Sequence, residues 1–211
     1  MSKGRIPVKA FILLAGLLLI LTFGTYNCRI NTVTSPVGKS GQTASYKDYD
    51  NGHYQKGVEW PNPRFTDNGD GTVTDNLTGL MWMKDANFIV ACCPECEFVA
   101  SIPEEQGTVL WNEALDIVSR INNGTYSKCG AGYNDWRLPN IKELLSLIDF
   151  SQCAPPLPSG HPFDNVQKWN YWSSTTSACF NDTAWRVDMY RGLVSETTTH
   201  HNYVWPVRGG Q

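Results

Sequence analysis

Seven cysteines, four histidines and one acidic, glycine-rich loop hold most of the reactive groups in this chain. Cys92, Cys93 and Cys96 sit together in CCPEC, and Cys93 and Cys96 have the spacing of a zinc half-site or a redox pair. A structural zinc ion needs two further ligands, and no second C-x-x-C occurs. A thioredoxin-type pair opens a helix after a strand, whereas Pro94 and Glu95 stand in an irregular stretch. Structural disulfides are therefore expected among Cys92, Cys93, Cys96, Cys129, Cys153 and Cys179, with the pairing left open. Cys129 and Cys153 flank a tryptophan-centred block and are each expected to tie a loop to the core. Asp67, Asn68, Asp70 and Asp75 have calcium-ligand chemistry. An EF-hand frame over them puts Thr66 first and Leu77 twelfth, where acids are needed, so a tight hairpin turn is expected. His161, His200 and His201 have no Ser, Cys or Asp partner in a catalytic order. No catalytic residue, metal or cofactor is expected. The ligand-binding candidates are Asn181, Asp182, Tyr190, Arg191, Glu196, His200 and Asn202. They mix aromatic, amide and charged groups suited to a sugar or a protein surface.

The elements that must position these residues start after an export-type segment. Lys3, Arg5 and Lys9 precede an apolar run from Ala10 to Phe23, too short to favour a spanning helix and suited to a signal sequence. Residues 1–27 read as a signal peptide or an N-terminal anchor. Cys28 is a lipidation candidate that would leave six cysteines to pair, although Thr25-Tyr26-Asn27 is a poor lipobox. The expected location is extracytoplasmic: secreted, periplasmic or envelope-tethered. Without residues 1–27 the formal charge moves from −3 to −6, with 14 Lys and Arg against 20 Asp and Glu. A chain of that charge is not drawn to nucleic acid by its overall field. Membrane contact is expected only through the N-terminal segment or a lipid on Cys28. Residues 28–59 are rich in Ser, Thr, Gly and Tyr without a sustained period, and read as a flexible linker.

The expected folded domain spans residues 60–211. Arg64–Asp67, Thr72–Asp75 and Leu80–Met83 read as a small meander around Asn-Gly and Asp-Gly turns. Leu110–Asn122 reads as a helix, with Trp111, Ala114, Leu115, Val118 and Ile121 on one face. Asn140 and Glu143 form a capping-box pattern before a second helix whose buried stripe is Ile141, Leu144, Leu145 and Ile148. A Pro-rich loop over 151–168 leads to strands at Tyr171–Thr176, Thr183–Tyr190 and Tyr203–Arg208. Trp185, Val187 and Met189 alternate with polar residues in the middle strand, as do Tyr203, Trp205 and Val207 in the last. Arg137 and Arg208 are expected to pair with carboxylates such as Asp135 or Glu143. The fold class is α+β, two helices with several short antiparallel strands and a tryptophan-rich core.

The blocks RFTDNGDGTVTDNLTGLMW, DWRLPNIKELLSLID, YWSST, AWRVD and YVWPVRGG occur in that order. Together they resemble the bacterial Lcl C-terminal domain family, over roughly residues 60–210. The WRLP block and the terminal RGG are also similar to the formylglycine-generating enzyme superfamily. The resemblance implies a C-type-lectin-like domain, two helices flanking short twisted antiparallel strands. It implies an adhesin-like binding module that recognises a cell-surface glycan or protein. The family's named member binds sulfated glycosaminoglycans, a class that a charge of −6 disfavours here. The Glu-Pro-Asn and Trp-Asn-Asp triplets of calcium-dependent lectins do not occur. An enzyme on the formylglycine-generating scaffold would need a late cysteine pair, and only Cys179 stands there. A structural subunit of a surface assembly, as a homo-oligomer, is the other alternative.

Overall fold

A computed structural model describes residues 37–92 and 106–209. The expected signal or anchor segment, Cys28, Cys93 and Cys96 lie outside the described residues. The architecture is mixed α+β, with more sheet than helix. Strands β1 (Phe65–Asp67), β2 (Thr72–Asp75) and β3 (Met81–Met83) form the expected meander, and β9 (Val207–Arg208) completes a four-stranded antiparallel sheet beside β3. A second sheet has the order β4 (Thr108–Val109), β8 (Asn202–Tyr203), β5 (Asn170–Thr176), β6 (Ala184–Asp188) and β7 (Leu193–Thr197). Its pairs are antiparallel except β5 with β8, which run parallel at Tyr171 and Tyr203.

The first hairpin turn is built from its own acids. Asp67 Oδ1 accepts the Gly69 N–H, and Asp70 Oδ1 accepts the N–H and hydroxyl of Thr72. Asp75, wholly buried, accepts from Arg64, Leu77 N–H and Thr78 Oγ1. Arg64 is 93% shielded, holds Asp75 bidentately at 2.8 and 2.9 Å, and donates to the Ser146 carbonyl. Its remaining face lies over the Trp60 ring, 4.9 Å from the centroid.

Helix α3 (Trp111–Asn122) follows β4 directly. Its buried face differs from the expected stripe: Ala114, Ile117, Val118 and Ile121 point inward, Trp111 is half-buried, and Leu115 is 39% exposed. At 3.6 residues per turn, Leu115 stands beside that face and Ile117 on it. Helix α4 (Ile141–Ser146) has both halves of the capping box. Asn140 Oδ1 accepts from Lys142 and Glu143 N–H, and Glu143 Oε2 accepts from Asn140 N–H. Glu143 also takes both Arg137 donors at 2.7 and 2.8 Å, and Arg208 pairs with Asp135, as expected. Leu144, Leu147 and Ile148 are buried, while Ile141 and Leu145 are partly covered.

Two expectations are corrected. The strand over Tyr203–Arg208 is two strands in different sheets, and residues 202–207 are all buried instead of alternating. The segment passes from one sheet to the other, so protein lies on both of its faces and alternation has no solvent side to follow. Its Trp205 ring meets Trp82, Phe163 and Tyr171 at 5.7, 4.9 and 5.4 Å, and its N–H donates to the Met83 carbonyl.

The stretch expected as linker is folded from residue 37 onward. Lys39 N–H donates to the Val58 carbonyl, and the Ser40 carbonyl accepts from Phe150 N–H. Helix α1 (Asn51–Tyr54) is capped by Asp50. Asp50 also takes the N–H groups of Tyr46 and Lys47 and the Ser45 hydroxyl, and these bonds, led by Tyr46 and His53 N–H, hold its carboxyl down to about 2. Turn chemistry of this kind needs no periodicity, which is why the composition resembled a linker.

Gly41 tests this packing. Its φ is +87°, and a Cβ there would fall on the Asp149 carboxylate and the Trp60 ring, whereas a Cβ at Gly69, φ +76°, would meet nothing within 4 Å. Both alanine variants pay the left-handed backbone cost, but only Gly41→Ala adds overpacking, expected at about 1–3 kcal/mol. Urea midpoints of the two variants check this. Equal midpoints would mean that residues 37–59 do not bear on the domain.

Candidate functional site

Strand β6 is the axis of the region that held most sequence candidates. Its register sets Trp172 opposite Arg186 opposite Ser195, and Asn170 opposite Asp188 opposite Leu193. Directly opposed residues share a face, so Arg186 and Ser195 lie beside the buried Trp172, while Asn170, Asp188 and the exposed Leu193 lie one pleat repeat along. Arg186 is partly buried there. Its Nε donates to Ser195 Oγ at 3.0 Å and its Nη1 to Asn202 Oδ1 at 3.1 Å. Burial pulls its pKa below the usual arginine value, and the charge of Asp188 works against that pull. Asp188 itself accepts the Tyr190 N–H at 2.7 Å.

The β6–β7 turn closes on Gly192. Its φ is +73°, and a Cβ there would sit 2.8 Å from Ile148 Cγ2 and 3.7 Å from Phe150 Cε1, so glycine is needed on both counts. The turn is pinned to two neighbouring loops: Ala154 N–H donates to the Tyr190 carbonyl, and Met189 N–H to the Trp169 carbonyl. Four large apolar side chains stand out around it. Phe150 is 51% exposed, Trp169 55%, Tyr190 44% and Leu193 56%. The Arg191 guanidinium lies 5.4 Å from the Tyr190 ring centre. Single exposed apolar residues are ordinary; four of them on one turn and the loops bonded to it form a candidate contact surface.

The seven candidates do not form one site. Tyr190 and Arg191 belong to this cluster. Asn181 and Asp182 are exposed in the β5–β6 turn. His200 is exposed, and its Nδ1 pairs with Thr197 Oγ1 at 2.6 Å. Because Ala184 pairs with Thr197 and Asp188 with Leu193, that second group lies at the opposite end of β6, roughly 13 Å away at about 3.3 Å per residue. Glu196 is half-buried on β7, with Oε2 shielded and unpartnered among the described residues. Asn202 is corrected as a surface ligand: it is fully buried and holds Arg186, while its amide donates to the His200 carbonyl. Phe150, Trp169, Leu193 and Arg186 were not foreseen. Trp169 carried a usable signal, because it lies outside the repeated aromatic blocks that fill the core.

The cysteine expectation is also corrected in part. Cys92 bonds to Cys129, tying the end of α2 (Phe88–Cys92) to the short turn Ser127–Cys129. Cys153 and Cys179 are free and exposed, each on a surface loop. A cavity of about 220 Å³ beside the disulfide is lined by Asp70, Met83, Asp85, Phe88 and Lys128, among others. Tyr133 borders this region: its hydroxyl donates to Asp70 at 3.0 Å, and the Arg208 guanidinium stacks 3.8 Å from its ring.

The fold and these surfaces can be set against known families. A family model described as the Lcl C-terminal domain matches residues 71–208, from the first hairpin turn to β9. No curated protein matches the chain.

Two predictions test the site geometry. Native protein treated with an aromatic disulfide reagent should release two fewer thiol equivalents in a Cys153→Ser, Cys179→Ser variant; an unchanged count would show both to be paired. Asn202→Ala removes an acceptor from a partly buried cation and should cost about 1–3 kcal/mol in urea unfolding. A loss under about 0.5 kcal/mol, as for an ordinary surface residue, would contradict that role.

Proposed function

The chain belongs to the Lcl C-terminal domain family, and from that premise we propose that it is a non-catalytic, extracytoplasmic binding module that recognises a glycan. The observation that carries this reading is the aromatic cluster on the β6–β7 turn. Trp169 and Tyr190 offer flat apolar rings, and Arg191 with the Tyr190 hydroxyl offers donors beside them. Rings of this kind cover the apolar faces of sugars, and adjacent polar groups fix orientation. Two neighbouring loops pin the turn through backbone bonds, and Gly192 packs it on Ile148 and Phe150, so little ordering is left for binding. The α+β body with helices beside short strands is consistent with a C-type-lectin-like fold. The export-type N-terminus and the Cys92–Cys129 bond support an oxidising compartment.

A protein partner is the second reading, favoured by Leu193 and Val194, which are 56% and 40% exposed on the edge strand β7. Tyr, Trp and Arg are enriched at protein interfaces as well.

A glycan array probed with the full chain should return defined hits. Trp169→Ala and Tyr190→Ala should each weaken those hits about tenfold or more, since one stacked aromatic contributes about 1.4 kcal/mol or more. Thermal midpoints should barely move, because both side chains are exposed. An array without hits, combined with capture of an envelope protein that Leu193→Asp abolishes, would favour the second reading. Hits indifferent to both aromatic substitutions would remove the turn as the site.

A further inference from the structure

A second set of rings stands outside the core, on and around α1. Tyr46 is 81% exposed, Tyr49 75% and Tyr54 48%, and His53 beside them is exposed as well. The Tyr49 ring lies 5.9 Å from His53 and 6.2 Å from Tyr54, and His53 meets Tyr54 edge-on at 5.1 Å. None of the three tyrosine hydroxyls is hydrogen-bonded to a described residue. Lys47 and Lys56 flank the set. Both are exposed and make no ion pair among the described residues, whereas Lys39 is paired with Glu59.

One carboxylate organises this surface. Asp50 Oδ2 accepts the N–H groups of Tyr46 and Lys47, and Oδ1 accepts the His53 N–H and the Ser45 hydroxyl. Tyr49 has a φ of +72°, a left-handed conformation that costs a bulky residue and persists only where the surroundings impose it. Core packing does not offset that cost, because the ring points into solvent. The backbone is thus arranged to hold rings outward.

The chain before this surface indicates what meets it. The apolar run ends at Phe23, Cys28 is the lipidation candidate, and the described body begins at residue 37. The thirteen residues 24–36 reach at most about 45 Å, and the eight residues 29–36 at most about 29 Å. A folded body of this size is itself about 40 Å across. A retained apolar run or a lipid on Cys28 therefore keeps the body within about its own width of a bilayer. Tyrosine suits the boundary there, with its ring toward the acyl chains and its hydroxyl toward water, and lysine meets the phosphates. The chain's net negative charge does not decide this contact, since fields decay over about 8 Å at physiological salt. Locally, Asp50 is consumed inside the turn, and Asp48 is the exposed acid beside the two free amines.

We infer that Tyr46, Tyr49 and Tyr54, with Lys47 and Lys56, dock on a phospholipid surface and act as a second membrane contact after the N-terminal segment. One acyl chain holds a protein on a bilayer only marginally, and a second contact makes the attachment stable. The inference rests on the extracytoplasmic reading and is independent of the glycan one, whose residues lie on the β6–β7 turn.

The test uses the full chain on vesicles of phosphatidylcholine and phosphatidylglycerol, with the floated fraction collected. Lactoperoxidase, an enzyme too large to enter the headgroup layer, iodinates accessible tyrosines, and mass spectrometry maps them. The reference is the same chain kept soluble by an amphipathic polymer without lipid. Tyr46 and Tyr49 should be iodinated about tenfold less on vesicles, the ratio for a docked state favoured to that extent, while Tyr190 reacts alike in both. Tyr49→Asp with Lys47→Glu should restore Tyr46 iodination on vesicles and leave the thermal midpoint in place, both side chains being exposed. Equal reactivity of Tyr46 and Tyr49 in the two states overturns the inference. So does equal protection of Tyr190, which would mean that the vesicle shields the whole body, and so does protection of Tyr46 retained in the double variant. Failure of the chain to float with vesicles overturns it as well. Protection that needs an added envelope extract assigns the surface to a protein or glycan partner and overturns it too. None of these outcomes alters the glycan array result.

Discussion

Residues 202–208 must satisfy two sheets at once, because Asn202–Tyr203 pairs with β4 and β5 while Val207–Arg208 pairs with β3. The segment between them has no solvent face, so every residue from 202 to 207 is buried. Trp205 fills the junction, touching Trp82, Phe163 and Tyr171 and donating its N–H to the Met83 carbonyl. A side chain of that size, fully buried, contributes several times what a single surface contact does, on the order of 3–5 kcal/mol when removed. Trp82 beside it is also fully buried, with its N–H unpartnered among the described residues, so ring packing outweighs one donor there.

Asn202 opens the crossing and also orients Arg186, so the core strap fixes a side chain of β6. The β6–β7 turn sits on Ile148 and Phe150, just beyond α4, and α4 is held by the Asn140 cap and by Arg64 reaching the Ser146 carbonyl. Rigid elements thus support an exposed turn, the usual arrangement for a loop that recognises a partner. The folded stretch 37–59 covers part of the same support, through Ser40 on Phe150 N–H and Gly41 on Asp149.

Much of this was legible in the sequence where the deciding groups are neighbours in the chain. The Asp67–Thr72 turn, the α4 capping box, the Arg137–Glu143 pair and the start and end of α3 each depend on residues within about seven positions. The failures share another cause. Strand β7 was missed because an edge strand exposed at Leu193 and Val194 shows no alternation. Leu115 was placed inward because it stands at helical spacing from Trp111 and Val118, whereas the packing buries the neighbouring stripe that includes Ile117. Residues 37–59 lacked a period because side-chain caps hold them.

The chain by itself determined an α+β body with a tryptophan-filled core, its hairpins, its helix caps and the family to which it belongs. Those features arise from short-range hydrogen bonding and from burial of bulky apolar side chains, both written in local residue order. Tertiary structure alone decided that the last strand splits between two sheets, that Cys92 takes Cys129 while Cys153 and Cys179 stay free, and that the Trp169 carbonyl takes the Met189 N–H beside the β6–β7 turn. Each of these is a choice among distant partners, and only the three-dimensional packing of the whole domain makes one partner reachable and the others not.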